Sequence, residues 1–328
     1  MKEEDIRPKE IFDRFLQLSA EDAIEIFNGV TFTKCSCPGC GEYNSILAFK
    51  KMGFSYHTCN TCNSLFLNPR PSSDVFSIFY ANSKSAKYFA EVFIPIVLEE
   101  RRQAMFIPRV EKIRTICNAS KLVPNVVLEI GAGHAIFLEE WKKREPNAEI
   151  WGIEPNPEMA QYCRNKGVKV LEVFSEEAYE WHCTADLAVS FEVLEHVTDI
   201  FKFVQSIYDL LRPGGILVAT SLCADGFDIQ ILKEKSKSVT PPHHINFCSI
   251  EGYRQLFSRA GFINLNIQTP GKLDLEIVIN TLKDAEVELG AFEKKLLNAN
   301  PKQQALFQTY LADNQMSSHC WITAQKPN

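Results

Sequence analysis

The stretch VVLEIGAGHAIFLEEW, residues 126–141, decides the fold. VVLEI (126–130) reads as a buried strand, and residues 134–144 as a helix. Gly131-Ala132-Gly133 between them makes a strand–turn–helix junction, the place where a parallel sheet holds a ligand at its carboxyl edge. The alternation continues downstream. EIWGIE (149–154), VKVLEV (168–173), DLAVSFE (186–192) and ILVATS (216–221) read as strands. PEMAQYCRNKG and the run from Asp199 to Leu211 read as helices, with RPGG (212–215) as a turn. Such alternation needs crossovers, hence a mainly parallel α/β sheet with helices on both faces. Beyond it come a helix in EGYRQLFSRAGF, a strand in INLNIQ, a helical insertion at about 274–313 and a last strand HCWITAQK.

The residues around the glycines indicate the charge of the ligand. A dinucleotide fingerprint needs glycine or alanine at the sixth position of G-x-G-x-x-G, and that place is Ile136. Glu129, two residues before the first glycine, would repel a pyrophosphate. A ligand with an ammonium and a sulfonium would instead be attracted by Glu129, and it needs glycines only for close backbone approach. Glu154, ending the second strand, can take two ribose hydroxyls. The plainer reading makes both acids ordinary strand-end carboxylates.

In this order the segments resemble the class I S-adenosylmethionine-dependent methyltransferases. VLEIGAGHA (127–135) is similar to their first motif, GIEPNP (152–157) to their second, VSFEVLEHV (189–197) to their fourth-strand signature, and LLRPGGILVATS (210–221) to the approach to their fifth strand. The resemblance implies a Rossmann-like seven-stranded sheet with one antiparallel strand, for which HCWITAQK is the candidate. It also implies that S-adenosyl-L-methionine lies over Glu129, Gly131, Ala132 and Gly133, with Glu154 and Pro155 at the ribose. Val173 and Phe174 would flank the adenine, and Ser190 and Phe191 would lie near the sulfonium. Ala135 stands where many members carry a third glycine.

Ahead of this domain stands CPGCGEYNSILAFKKMGFSYHTCNTC (37–62), with the spacing C-x2-C-x18-C-x2-C over Cys37, Cys40, Cys59 and Cys62. Four thiolates complete a tetrahedron around zinc and leave no position for water, so such a metal is structural. Cys35 and His57 are spare donors nearby, and unmetallated thiols or a redox pair are the alternatives. A ribbon this small depends on metal for its folding energy. CPGCG…CNTCNSLFLNPRPS resembles the amino-terminal module of bacterial methyltransferases often found with surface-polysaccharide and other small-molecule biosynthesis.

Four regions are expected: N-terminal helices over 1–30, the zinc ribbon over 31–72, a helical linker or lid over 73–118, and the Rossmann-like domain over 119–328. In the first, Ile11, Phe12, Phe15, Leu16 and Leu18 form an apolar stripe, with Ser19 available to cap a second short helix. Ser72 can cap the third region, which Pro95 and Pro108 punctuate. Arg70, between two prolines, reads as a solvated turn residue or a phosphate contact, and Tyr80 and Tyr88 as lid or packing residues.

The 328 residues carry a net charge of −6 with no offsetting basic cluster, which argues against nucleic acid as partner. The apolar runs are too short to span a bilayer, and the N-terminus lacks an apolar signal core, so a cytoplasmic protein without membrane insertion is expected. The eleven cysteines are then thiols or metal ligands. The sequence is silent on oligomeric state.

Methyl transfer to a hydroxyl needs a proton acceptor. His196, in FEVLEHV, and His243 and His244, in PPHHINFCS, all follow strands at the carboxyl edge. One of the adjacent pair should point to solvent. HINF matches a common family element, and the resemblance therefore favours His244. The expected substrate is a small polar metabolite, with a sugar or nucleotide-sugar hydroxyl as the acceptor. An RNA methyltransferase whose ribbon reads RNA, or a non-catalytic cofactor-binding regulator, are the competing readings.

Overall fold

The computed structural model describes residues 2–328, leaving Met1, at the head of the expected helical stretch, outside the described residues. A seven-stranded sheet is ordered β10-β11-β8-β7-β4-β5-β6. Its strands are β4 (Val126–Ile130), β5 (Glu149–Ile153), β6 (Lys169–Leu171), β7 (Ala185–Phe191), β8 (Leu211–Leu222), β10 (Ile263–Gln268) and β11 (His319–Gln325). The pairs β4–β5, β4–β7, β5–β6 and β7–β8 are parallel. The last strand runs the other way. Lys326 N donates to Gly215 O at one end of the β8–β11 pair, and Cys223 N to Ser318 O at the other, which is an antiparallel register. Every residue of β7 is buried, as expected for a central parallel strand with both faces covered.

The RPGG segment is not a turn ahead of the fifth strand. Strand β8 starts at Leu211, opposite Ala185, and resumes its register at Ile216, opposite Leu187. Residues 212–215 therefore stand opposite the single residue Asp186, a bulge of three extra residues in a continuing strand, with Gly214 at φ +76°.

The second sheet, β1-β2-β3-β9, consists of β1 (Ser45–Lys51), β2 (Phe54–Cys59), β3 (Leu65–Leu67) and β9 (Asn246–Phe247). Met52 and Gly53, both at positive φ, close the β1–β2 hairpin in the two-residue geometry that matches strand twist.

Compact units divide the chain differently from the four expected regions. One comprises Met1–Pro95, Ser221–Gln255 and Ile267–Trp321; the other comprises Ile96–Thr220, Leu256–Asn266 and Ile322–Asn328. The ribbon is not a separate module over 31–72, because β9, from residues 246–247, supplies its fourth strand. The insertion expected at 274–313 is three helices, Asp274–Asp284, Ala291–Leu297 and Pro301–Asp313.

The helix Lys9–Phe27 is continuous. Ser19 does not cap; its hydroxyl donates back to the Phe15 carbonyl at 2.9 Å and the helix runs through it. Ser72 occupies the N-cap position of the helix Ser73–Asn82 without a side-chain capping bond. Pro95 and Pro108 do not end their helices. Each is preceded by a widened π turn, Phe89–Phe93 and Arg102–Phe106, which accommodates the missing proline N–H. No helix among the described residues is long and apolar enough to cross a membrane.

Candidate functional site

The carboxyl ends of β4, β5 and β7 converge on the glycine loop. Gly131 N donates to Ile153 O at 2.8 Å, so the loop leaves β4 still bonded to β5. Gly131 has φ +75°, and a Cβ there would lie 2.7 Å from Val193 Cγ2, so both its conformation and its surroundings require glycine. At Gly133, with φ +49°, a Cβ would meet nothing within 4 Å, which leaves that face of the loop open. Ala135 begins the helix Ile136–Arg144 in the left-handed region, at φ +54°, a conformation that favours glycine.

Glu154 accepts from Gly133 N at 2.9 Å through Oε2 and from Asn156 N at 3.0 Å through Oε1, fastening the loop to the end of β5. Burial pushes its carboxyl upward, against the pull of those two amides. Pro155 next to it is exposed. Glu129 lies in β4 between Gly152 and Val189 of its neighbours and is 3% exposed. Its Oε2 is buried with no hydrogen-bond partner. Burial holds its carboxyl well above the usual range, although the Arg109 guanidinium pulls it down. Ser190 Oγ in β7 is likewise buried without a partner. Val173 and Phe174 follow β6, with Phe174 53% exposed.

Arg109 was invisible to motif reading. It lies in the helix Ile107–Ala119, buried, with its guanidinium carbon 4.8 Å from the Phe191 ring centre and 5.2 Å from that of Phe106. It donates to Glu192 Oε1 at 2.9 Å, an oxygen that also accepts from Thr220 Oγ1 at 2.8 Å. Glu192 itself stands at φ +55°. A buried cation thus faces Glu192, with Glu129 and Glu195 also within its field. The hint in the sequence is an arginine directly after Pro108 in the first turn of a helix of mixed polarity.

His243 is buried, whereas His196 and His244 are half-buried. His196 is half-buried in the turn after β7 and ahead of the Asp199-capped helix Ile200–Leu210. Neither member of the adjacent pair is exposed, contrary to the expectation that one would face solvent. His243 is 5% exposed and packs against Phe15 and Phe79. The Ser85 hydroxyl donates to Asp22 Oδ2 at 2.5 Å, so its oxygen must accept from His243 Nε2, 2.8 Å away. Burial pushes His243 down to about 3, leaving it neutral. His244 Nδ1 lies 2.6 Å from the Ser238 carbonyl, which can only accept. Nδ1 therefore carries a proton, and in the neutral ring the lone pair lies on Nε2.

Cys37, Cys40, Cys59 and Cys62 have sulfurs all within 4.8 Å of one another. The pairs Cys37–Cys62 and Cys40–Cys59 are 3.4 and 3.5 Å apart, close to the ~3.8 Å edge of a tetrahedron with zinc–sulfur bonds of ~2.3 Å. The set can hold a metal. Cys35 and His57 lie outside it. Cys35 Sγ accepts from Arg70 Nε at 2.9 Å, and His57 Nδ1 pairs with Ser45 Oγ at 3.3 Å. Arg70 is only 8% exposed and also donates to Asn246 Oδ1, so it is not a solvated turn residue.

A parallel sheet with a glycine loop on its first strand and an acid closing the second defines a Rossmann-like protein of the cofactor-holding kind. Residues 98–267, just over half of the chain, match a family model described as a methyltransferase domain, and the chain belongs to that family. It is similar to a ubiquinone biosynthesis O-methyltransferase from Methylocella silvestris, 30% identical over 29% of this chain and 39% of the relative. It is also similar to methyltransferase str2 from Strobilurus tenacellus, 33% identical over 29% of this chain and 34% of the relative. The chain thus spans about two fifths or less of the length of these curated relatives. Among solved structures, the plantazolicin methyltransferase BpumL in complex with a monoazolic desmethylPZN analog and SAH superposes with a TM-score of 0.52. The two are 13% identical over 77% of this chain and 94% of that one, a likeness of fold.

Proposed function

We propose that the protein transfers a methyl group from S-adenosyl-L-methionine to a hydroxyl of a small polar metabolite, with a sugar or nucleotide-sugar as the acceptor class. The observation that carries this reading is the partnerless, buried carboxylate oxygen of Glu129 beside the glycine loop. A buried carboxyl with one oxygen unpartnered is costly even with a backbone hydrogen bond from Leu138, and a cationic ligand removes that cost. The residues present fit such a ligand. Glu129 suits its ammonium, Arg109 gives its carboxylate a counter-charge, and Gly131, Ala132 and Gly133 allow close approach. Glu154 keeps lone pairs for ribose hydroxyls, Ser190 has a hydroxyl to offer, and Pro155, Val173, Phe174 and Phe191 supply apolar surface. When bound, the sulfonium supplies a methyl group for in-line displacement.

His244 is the proposed proton acceptor, because its Nε2 bears the basic lone pair. His243, with its Nε2 committed to Ser85, is better suited to positioning, and His196 remains a second polar group after β7. The four-cysteine set is proposed to hold structural zinc. The match to proteins named O-methyltransferases supports oxygen as the acceptor atom. The acidic net charge supports a small molecule over RNA. Mass spectrometry of co-purifying small molecules, followed by a labelled-methyl screen over nucleotide sugars, tests the reading. Transfer to a sugar hydroxyl is expected. Transfer to RNA, or to none of the acceptors by a protein that does bind the cofactor, would replace it with one of the competing readings.

A further inference from the structure

The cysteine ribbon and the His244 segment are parts of one sheet. Strand β9 pairs with β3, Leu65 opposite Phe247 and Phe66 opposite Asn246, and Leu67 N donates to Ile245 O at 2.9 Å. Both metal-gripping knuckles reach the same stretch of chain. Ser64 Oγ lies 3.1 Å from Cys62 Sγ and accepts from Ser249 N at 3.1 Å, while the Ser249 hydroxyl donates to Cys62 O. In the first knuckle, a Cβ on Gly39 would lie 2.6 Å from Gly252 Cα, so the two backbones are in direct apposition.

The hairpin holds the imidazole from two directions. Tyr56 in β2, fully buried, donates its hydroxyl to the His244 carbonyl at 2.6 Å. Lys51 in β1 donates to Ser236 O at 2.6 Å, two residues before the Ser238 carbonyl that receives His244 Nδ1–H. One side fixes the backbone of His244, and the other holds the chain two residues before the acceptor that selects its tautomer.

We propose that the four-cysteine ribbon is a positioning device for His244, with Tyr56 and Lys51 as the positioning residues that keep the basic lone pair on Nε2. This rests on the reading of His244 as proton acceptor. It assigns the metal a task beyond bracing the fold, since loss of the ion should release the histidine turn through β3 and β9.

Nitrogen-15 spectra of the full chain labelled at histidine test the proposal. In the intact protein near neutral pH, His244 should show two well-separated imidazole nitrogen resonances, those of a single Nδ1–H tautomer. Treatment with EDTA, and separately Tyr56→Phe or Lys51→Met, should move them toward each other as the tautomers mix. Amide exchange over residues 245–249 should rise on chelation, while that of β4 and calorimetric binding of S-adenosylmethionine stay unchanged. An unaltered His244 spectrum and unaltered exchange at 245–249 after metal removal would overturn the proposal. Failure of the underlying reading looks different, as His244→Ala would transfer methyl groups at the wild-type rate while the His244 tautomer of the unsubstituted protein still responded to EDTA.

Discussion

The glycine loop after β4 and the histidine turn after Pro242 are both irregular backbone carrying polar chemistry, yet they are held by different means. The loop is tied by short-range bonds, Gly131 N to Ile153 O and Gly133 N to Glu154, between consecutive strands. The turn is tied by long-range ones: Tyr56 to the His244 carbonyl and Ser249 to Cys62 bridge sequence separations of 188 and 187 residues. Local ties survive distant damage. A loop held from afar inherits the stability of whatever holds it, here a ribbon sheet whose cysteine end packs on Phe66 and whose Phe54, Tyr56, Leu65 and Leu67 join an apolar cluster with Phe247. The two regions should therefore respond independently to perturbation.

The largest expected effect falls on the histidine turn. His244→Ala should slow methyl transfer by roughly 10²–10⁴-fold, the usual contribution of a general base, with cofactor affinity nearly unchanged. A loss of cofactor binding in that variant would break the independence of the two regions. Glu129→Gln should do the reverse, weakening S-adenosylmethionine binding by roughly 10–100-fold through loss of a charge-assisted contact, with no change in proteolysis of residues 31–70.

A smaller effect concerns pH. Burial holds the Glu129 carboxyl well above its usual range, which favours its protonated form in the ligand-free protein. A cationic ligand favours the ionised form. Binding should then release a proton, and affinity should rise with pH by at most about tenfold per unit until Glu129 ionises unaided. Calorimetry in buffers of different ionisation heat reads this directly, and Glu129→Gln should abolish it. The smallest effect is at Ser190, whose buried hydroxyl has no partner. Ser190→Ala should leave stability unchanged or raise it by about 1 kcal/mol in denaturant melts, because no bond is lost.

The contrast between the regions also explains what could be read in the sequence. Glu129, the glycines and Glu154 lie within 26 residues, at spacings fixed by a strand–turn–helix–strand unit, so their convergence follows from periodicity alone. The cysteine set was legible for the same reason, since each knuckle is a local pair. Arg109 was not legible, because helix periodicity alone does not distinguish a buried cation that faces Glu192. Nor was the Asp22–Ser85–His243 chain, whose members come from three distant segments and have no common spacing. Strand β9 is two residues long, too short for alternation to mark it, and its assignment to the ribbon sheet is a tertiary event.

Titration of the full chain with S-adenosylmethionine and with NAD by calorimetry addresses the charge of the cradle most directly. S-adenosylmethionine should bind with release of a proton from Glu129, and NAD should give no binding heat. Binding of NAD together with silence toward S-adenosylmethionine would contradict a pocket built for a cation.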